Sequence, residues 1–229
     1  MTIKPNCIIA ARGGSKRIPN KNIIKIFGQP MISYPITTAI KSKIFKNIFV
    51  STDSKKIKII SEKYGAKVPF LRKKKLANDK VGLQEVLVDF IKSNNFYNEE
   101  FFVFIYATAI LVDSKMILKA LKKFKKNKSD YLIGVQEFKS NPLRALKIKK
   151  NKLSFVNELY SKKNTNKLSK FYHDAGSFFI FRTKTILKTP KKLPPKTTFY
   201  LHKKFEVCDI DDKDDLKLAK ILLNHKINV

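Results

Sequence analysis

Apolar and polar positions along this chain follow two alternating periods. Short apolar runs at 6–11, 47–51, 67–70, 101–106 and 130–136 read as strands. The run at 101–106, Phe-Phe-Val-Phe-Ile-Tyr, has no polar break. A strand apolar on both faces belongs in the middle of a parallel sheet that is covered on both sides. Between these runs, apolar residues recur at helical spacing over 31–42, 54–64, 81–93 and 114–124. In 54–64, Ile57, Ile60 and Tyr64 fall on one stripe and Gly65 supplies the stop. In 81–93 the inward stripe is Leu83, Val86, Leu87, Phe90 and Ile91. Regular alternation of strand and helix predicts an α/β fold built as a three-layer, mostly parallel sheet.

The rhythm breaks at 139–169. Two short strands are expected there, at 144–149 and 152–155, followed by the polar stretch 161–169. This segment reads as an arm inserted into a single domain spanning 1–229. The long apolar pattern then returns as a strand at 170–181, a last strand at 205–210 and a final helix at 212–223. No internal repeat is visible.

Composition narrows the picture. A chain of 229 residues can bury a core without disulfide or metal staples. Its two cysteines, Cys7 and Cys208, sit in apolar runs and read as plain buried thiols. The most apolar stretch, 101–112, is too short for a membrane helix, and the opening residues show no leader pattern. The expectation is a cytoplasmic protein with no membrane contact. The net charge is +31, which raises the question of nucleic acid. Only five of the 49 basic residues are arginine, however, and the lysines are spread through every helix surface. A nucleic-acid reader concentrates arginine and exposed aromatics on one face, so nucleic acid is not the expected partner.

Two of those five arginines fall in one loop. Directly after the first strand comes Arg12-Gly13-Gly14-Ser15-Lys16-Arg17, with Lys21 and Asn22 close behind. In α/β sheets, ligands bind beyond the carboxyl ends of the strands. Paired glycines let backbone N–H groups approach an anion, arginine grips phosphate oxygens in a fork, and lysine acts as a mobile point charge. The loop therefore suits a polyphosphate. The plainer alternative is an ordinary turn among many lysines. Neither the Walker spacing nor the Gly-x-Gly-x-x-Gly dinucleotide spacing is present.

At the far end, Asp209-Ile210-Asp211 places two carboxylates on one face of the expected strand. Such a pair suits a hard divalent cation, Mg²⁺, shared with substrate phosphates. Asp212 and Asp215 have the plainer role of capping the final helix. A basic loop at one end and a metal pair at the other suggest nucleotidyl transfer, in which cations neutralise the departing pyrophosphate.

The residues also resemble a known family. "IIAARGGSKRIPNKN" at 8–22 is similar to the signature of the acylneuraminate cytidylyltransferases, the CMP-sialic acid synthetases. "VSTDS" at 50–54, "AKVPFLR" at 66–72 and "CDIDD" at 208–212 continue the likeness in order, over nearly the whole chain. "FIYATAILV" at 104–112, "PLRAL" at 142–146 and "FYHDAGSFFIF" at 171–181 resemble the branch that acts on pseudaminic acid. Ile110, Leu143 and Val81 depart from that branch's usual residues.

The resemblance implies a Rossmann-like fold and a homodimer in which the 139–169 arm reaches over the partner. It implies CTP and a nine-carbon nonulosonic acid as substrates, with pseudaminic acid first and N-acetylneuraminic or legionaminic acid as alternatives. Ala11, Arg12, Gly13, Gly14, Ser15, Lys16, Lys21 and Asn22 would then bind CTP. Arg12, Lys21 and Asp211 would serve catalysis, and Asp209 and Asp211 would hold Mg²⁺. Tyr106, Thr108, Arg144, His173 and Asp174 are candidates for the sugar pocket. Arg144 can equally be a surface arginine, Tyr106 a core tyrosine and His173 a satisfied rim residue. The general base stays open between His173 and a metal-polarised hydroxyl with a carboxylate acceptor.

Overall fold

The structure is a computed structural model that describes residues 4–188 and 193–228. In chain order its main elements are β1 (Asn6–Ala10), β2 (Lys25–Ile26), β3 (Gln29–Pro30), α1 (Ser33–Ser42), β4 (Ile48–Ser51), α2 (Lys55–Lys63), α3 (Leu83–Ser93) and β5 (Phe101–Tyr106). Then follow α4 (Ser114–Lys126), β6 (Tyr131–Glu137), β7 (Leu146–Lys149), β8 (Lys152–Phe155), β9 (Tyr172–Arg182), α5 (Thr183–Leu187), β10 (Thr197–Leu201) and α6 (Lys213–Asn228).

Six strands form one sheet in the order β10-β6-β9-β5-β1-β4. β1 runs parallel to both β4 and β5, and β10 runs parallel to β6. β9 lies antiparallel between β5 and β6. The sheet is thus mostly parallel and Rossmann-like. The apolar run of β5 explains its central place. Phe101, Val103 and Ile105 face one core with Ile36 of α1 and Ile117 of α4, while Phe102 and Phe104 face another with Leu87 and Phe90 of α3. Phe104 stacks on Phe179 of β9 at 4.6 Å between ring centroids. A third cluster joins Ile18, Met31 and Ile110 to Ile210 and to Leu216 and Ala219 of α6, fastening the last helix beside the loop after β1.

The arm strands β7 and β8 form their own two-stranded sheet. Among the described residues, no helix is long and apolar enough to cross a membrane. Both cysteines are free thiols, Cys7 buried and Cys208 half-buried.

The structure corrects two expected elements and adds others. Residues 67–70 form no strand and make only isolated bridges, Phe49 to Lys67 and Thr52 to Leu71. Residues 205–210 are irregular, with Phe205 in the left-handed region at φ 66°. Their apolar character has another cause: Val207 packs into the core beneath the sheet, and Ile210 packs beside α6. The edge strand is instead β10, whose half-exposed Thr-Thr-Phe-Tyr-Leu lacks a continuous apolar signal. The small hairpin of β2 and β3, too short to carry a period, was likewise not expected.

One buried polar group bears on stability. His202 follows β10 with its side chain fully buried. Burial lowers its pKa to about 4, partly opposed by Glu206 and Asp113. The folded value lies below the ordinary one near 6.5, so this contribution is present at neutral pH and lost as pH falls. Urea melts should lose about 3 kcal/mol of stability between pH ~6.5 and ~4 from this group, and His202→Gln should flatten that slope. An unchanged slope in the variant would show that other groups drive acid unfolding.

Candidate active site

The carboxyl ends of β1 and β5 open into a cleft of about 380 Å³. Ala10, Arg12, Ser15, Lys16, Arg17, Lys21 and Asn22 line it from the β1 side, and Tyr106, Ala107 and Thr108 from the β5 side. Arg72, Asn78, Asp79 and Leu83 form a further wall, and Asp209 and Asp211 complete it. The two ends of the sequence therefore meet in one cavity.

The loop after β1 is held from inside. Asn22 donates from Nδ2 to the Arg12 carbonyl at 2.9 Å and is itself buried. The Gly13 N–H donates to Asp53 Oδ1 at 2.9 Å, and a Cβ at this position would come within 3.0 Å of Ser54 Cβ. A side chain at position 13 would therefore have to displace Ser54, whereas a Cβ on Gly14 would meet nothing within 4 Å. Ala11 is buried behind the loop.

Lys21 makes the long-range connection. Its Nζ donates to the Ile210 carbonyl at 2.6 Å and to Asp211 Oδ1 at 3.3 Å. Arg17 reaches the other Asp211 oxygen at 3.0 Å. Arg12 and Lys16 both pair with Asp79, at 2.5 and 2.6 Å, and these cations hold the Asp79 carboxyl below the ordinary range.

Asp209 and Asp211 both face the cleft although no strand aligns them. Between them Ile210 turns inward and is fully buried, which leaves both carboxylates on the open side. Withdrawal from bulk water and then the charge of Asp211 push the Asp209 carboxyl above its ordinary range. Asp212 and Asp215 do cap α6. Asp212 Oδ1 accepts from the N–H groups of Asp214 and Asp215, and Asp215 Oδ2 accepts from those of Asp211 and Asp212. This reciprocal cap fixes the backbone direction at Asp211.

Among the described residues there is no group of three or more His, Cys, Asp or Glu able to hold a metal. Two carboxylates close enough to perturb one another, beside a phosphate-sized basic loop, still fit a hard cation that draws its remaining ligands from water and phosphate.

The sugar candidates divide. Tyr106 and Thr108 line the cleft. Asp174 sits at its margin, accepting from the Tyr106 hydroxyl at 3.2 Å and from the Gly176 N–H at 2.9 Å. Burial, then Asp174, pushes the Tyr106 phenol pKa far up. Arg144 lies on the arm, donating to Thr165 Oγ1 at 2.9 Å, and does not line the cleft. His173 packs on Phe138 at 4.8 Å with Nδ1 against the Asp174 carbonyl, and it too is absent from the lining.

Sequence reasoning assigned no role to Asp79, Asp53 or Arg72. Arg72 is 4% exposed, lies 3.8 Å from Asp53, and has an Nε without a partner among the described residues. Its rarity in so lysine-rich a chain was the available signal. A second cavity, of about 400 Å³, adjoins the cleft by sharing Leu83 and Tyr106. Leu87, Tyr131, Phe179 and Ile186 make it largely apolar, and Gln84 contributes a buried amide nitrogen without a partner among the described residues.

Cations from one end of the chain thus meet carboxylates from the other around a polyphosphate-sized space. That geometry is suited to moving a nucleotide from phosphate to an acceptor, which places the molecule among the nucleotidyltransferases. Comparison with known proteins narrows the class. Residues 6–222 match the family model described as cytidylyltransferase. The chain is 38% identical over 229 residues to a pseudaminic acid cytidylyltransferase of Campylobacter jejuni, covering 99% of this chain and 98% of that protein. It is 32% identical over 231 residues to an N-acylneuraminate cytidylyltransferase of Escherichia coli, covering 100% of this chain and 54% of that protein. Among solved structures, CMP:2-keto-3-deoxy-manno-octonic acid synthetase complexed with CTP is similar in fold, with a TM-score of 0.72 at 14% identity over 98% of this chain and 100% of that one. The chain belongs to the cytidylyltransferase family, and it is an enzyme.

The resting pairs around Asp79 are partly exposed and so of modest strength. Asp79→Asn should release Arg12 and Lys16 and tighten CTP binding at low salt by up to about fivefold, with the gain fading as salt rises. Titration calorimetry at two ionic strengths checks this; weaker binding in the variant would mean that Asp79 supports the nucleotide instead.

Proposed function

We propose that this enzyme transfers CMP from CTP to the anomeric hydroxyl of a nonulosonic acid, pseudaminic acid, and releases pyrophosphate. The observation that carries the reading is the joining of the basic loop to the acidic loop through Lys21, at the 2.6 and 3.3 Å contacts described above. The likeness to pseudaminic acid cytidylyltransferase over nearly the whole chain supports the choice of sugar.

In the reaction the anomeric oxygen attacks the α-phosphorus of CTP. A new P–O bond forms to the sugar, the bond to the diphosphate breaks, and the hydroxyl proton is released. Arg12, Ser15, Lys16 and Lys21 hold the triphosphate, and their charge rests on the diphosphate as it leaves. The basic loop and Asn22 orient the nucleotide. Asp209 and Asp211 would hold a magnesium ion, which when bound adds positive charge beside the phosphates. Tyr106, Thr108 and Asp174 border the acceptor, and the second cavity receives its apolar acyl groups, with the Gln84 amide available to an acyl oxygen.

The enzyme works as a homodimer. On the arm, Leu146, Ile148, Leu153, Val156 and Leu159 are 51–77% exposed, an apolar surface that a second copy would cover. Arg144 and His173 then act from the arm side of the acceptor site. The reaction belongs in the cytoplasm, where nucleoside triphosphates are available.

Pyrophosphate release from CTP with a panel of nonulosonic acids tests the reading. Pseudaminic acid should be the preferred acceptor; preference for N-acetylneuraminic or legionaminic acid would replace the sugar, and no release with any of them would overturn the function. Asp211→Asn should lower turnover by about 10²–10³-fold with the fold intact by circular dichroism. Near-normal activity in that variant would remove Asp211 from the chemistry.

A further inference from the structure

We propose that His202 is a positioning residue: seated in a slot between Ser177 and Gly134, it anchors the segment that carries Asp209 and Asp211 to the cleft. The inference rests on the reading of that acidic pair as part of the active site.

The slot comes from a break in the sheet. β6 and β9 pair in regular register from Tyr131 with Phe181 to Ile133 with Phe179. Pairing resumes only at Val135 with Asp174, so Gly134 faces the bulged stretch 175–178 of β9. A bulge bends its strand and re-aims its side chains. Here it holds Gly176 in the left-handed region at φ 59° and turns Ser177 toward Gly134.

His202 fills the space. Its N–H donates to the Val135 carbonyl at 2.9 Å, and its Nε2 lies 2.9 Å from Ser177 Oγ. Phe178 and Tyr200 flank the imidazole, with ring centroids at 5.4 and 4.8 Å. Only glycine permits this at position 134. A Cβ there would stand 2.3 Å from Ser177 Oγ and 2.9 Å from His202 Nε2.

The chain then turns back. Lys203 N–H donates to Glu206 Oε2 at 2.9 Å, closing a turn with Phe205 at positive φ. Asp209 arrives against the same bulge. A Cβ on Gly176 would lie 2.5 Å from Asp209 Cγ, so the carboxylate packs directly on that backbone. Neighbouring residues of one bulge thus locate both ends of the segment, Ser177 through His202 and Gly176 through Asp209. His202 does not line the cleft, so it acts on the chemistry through the placement of the carboxylates. A ligand-supporting group of this kind changes activity by about 10–100-fold when removed.

Hydrogen exchange followed by mass spectrometry, with steady-state kinetics on the same preparations, tests this. Ser177→Ala, the mildest change, along with Gly134→Ala and His202→Ala, should speed exchange across 203–211 while leaving the β1 and β5 peptides protected. In these variants kcat should fall by about 10–100-fold, with the KM for CTP moving much less. His202→Gln, which keeps a polar group near Ser177, should recover part of both signals.

Unchanged exchange at 203–211 in Ser177→Ala and Gly134→Ala would overturn the proposal. So would faster exchange spread evenly over the chain, which marks general destabilisation, or faster local exchange with kcat intact. Lack of turnover by the unmodified enzyme with every nonulosonic acid would instead defeat the proposed function, a result separable from the exchange pattern.

Discussion

The site depends on one ammonium group. Lys21 Nζ sits between the Ile210 carbonyl and the Asp211 carboxylate, and Lys21 lies 189 positions from Ile210 in sequence. Without a cation there, the Asp209–Asp211 pair would face its own repulsion and the loop after β1 would lose its far anchor. The contact to the Ile210 carbonyl is charge-assisted and belongs to a fully buried residue, so it is the stronger of the two; the Asp211 carboxylate is 47% exposed and its pairing is screened by water. The buried cluster of Ile18, Ile210 and Leu216 works in the same direction by packing the two chain ends together.

The cations of the cleft have carboxylate partners within the protein. Asp79 takes Arg12 and Lys16, while Asp211 takes Arg17 and Lys21. These carboxylates partly balance the charge of the loop before any phosphate arrives. A phosphate entering the cleft would compete with these carboxylates for cations that are still largely hydrated, Lys16 at 81% and Arg17 at 66% side-chain exposure. The excess of lysine elsewhere adds a long-range attraction for anions that salt will screen, and it carries no selectivity of its own.

The antiparallel strand β9 gives the family fold its particular site. It lies between two strands of the opposite direction, and its regular part stacks Phe179 on Phe104 in the core. Its bulged part presents the Gly176 backbone to Asp209, and where pairing resumes beside the bulge Asp174 meets Tyr106. A fully regular strand could not do both. The rigidity that the aromatic core lends to one half is what allows the irregular half to hold polar groups in fixed positions.

Local pattern alone determined much of this protein. The unbroken apolar run of β5, the stripes of α2 and α3, the Asp212–Asp215 cap and the clustering of arginine in one turn were all legible, since each depends on residues a few positions apart. The meeting of Asp79 with Arg12, the burial of Arg72 and the slot under His202 were not legible. The same holds for the edge strand at Thr197–Leu201, half exposed and weakly patterned, and for the apolar 205–210 segment, which packs without joining a ladder. Periodicity records which face of an element avoids water. It carries no record of which distant charge or backbone will lie opposite, and that was decided only when the tertiary structure brought the two ends of the chain into one cleft.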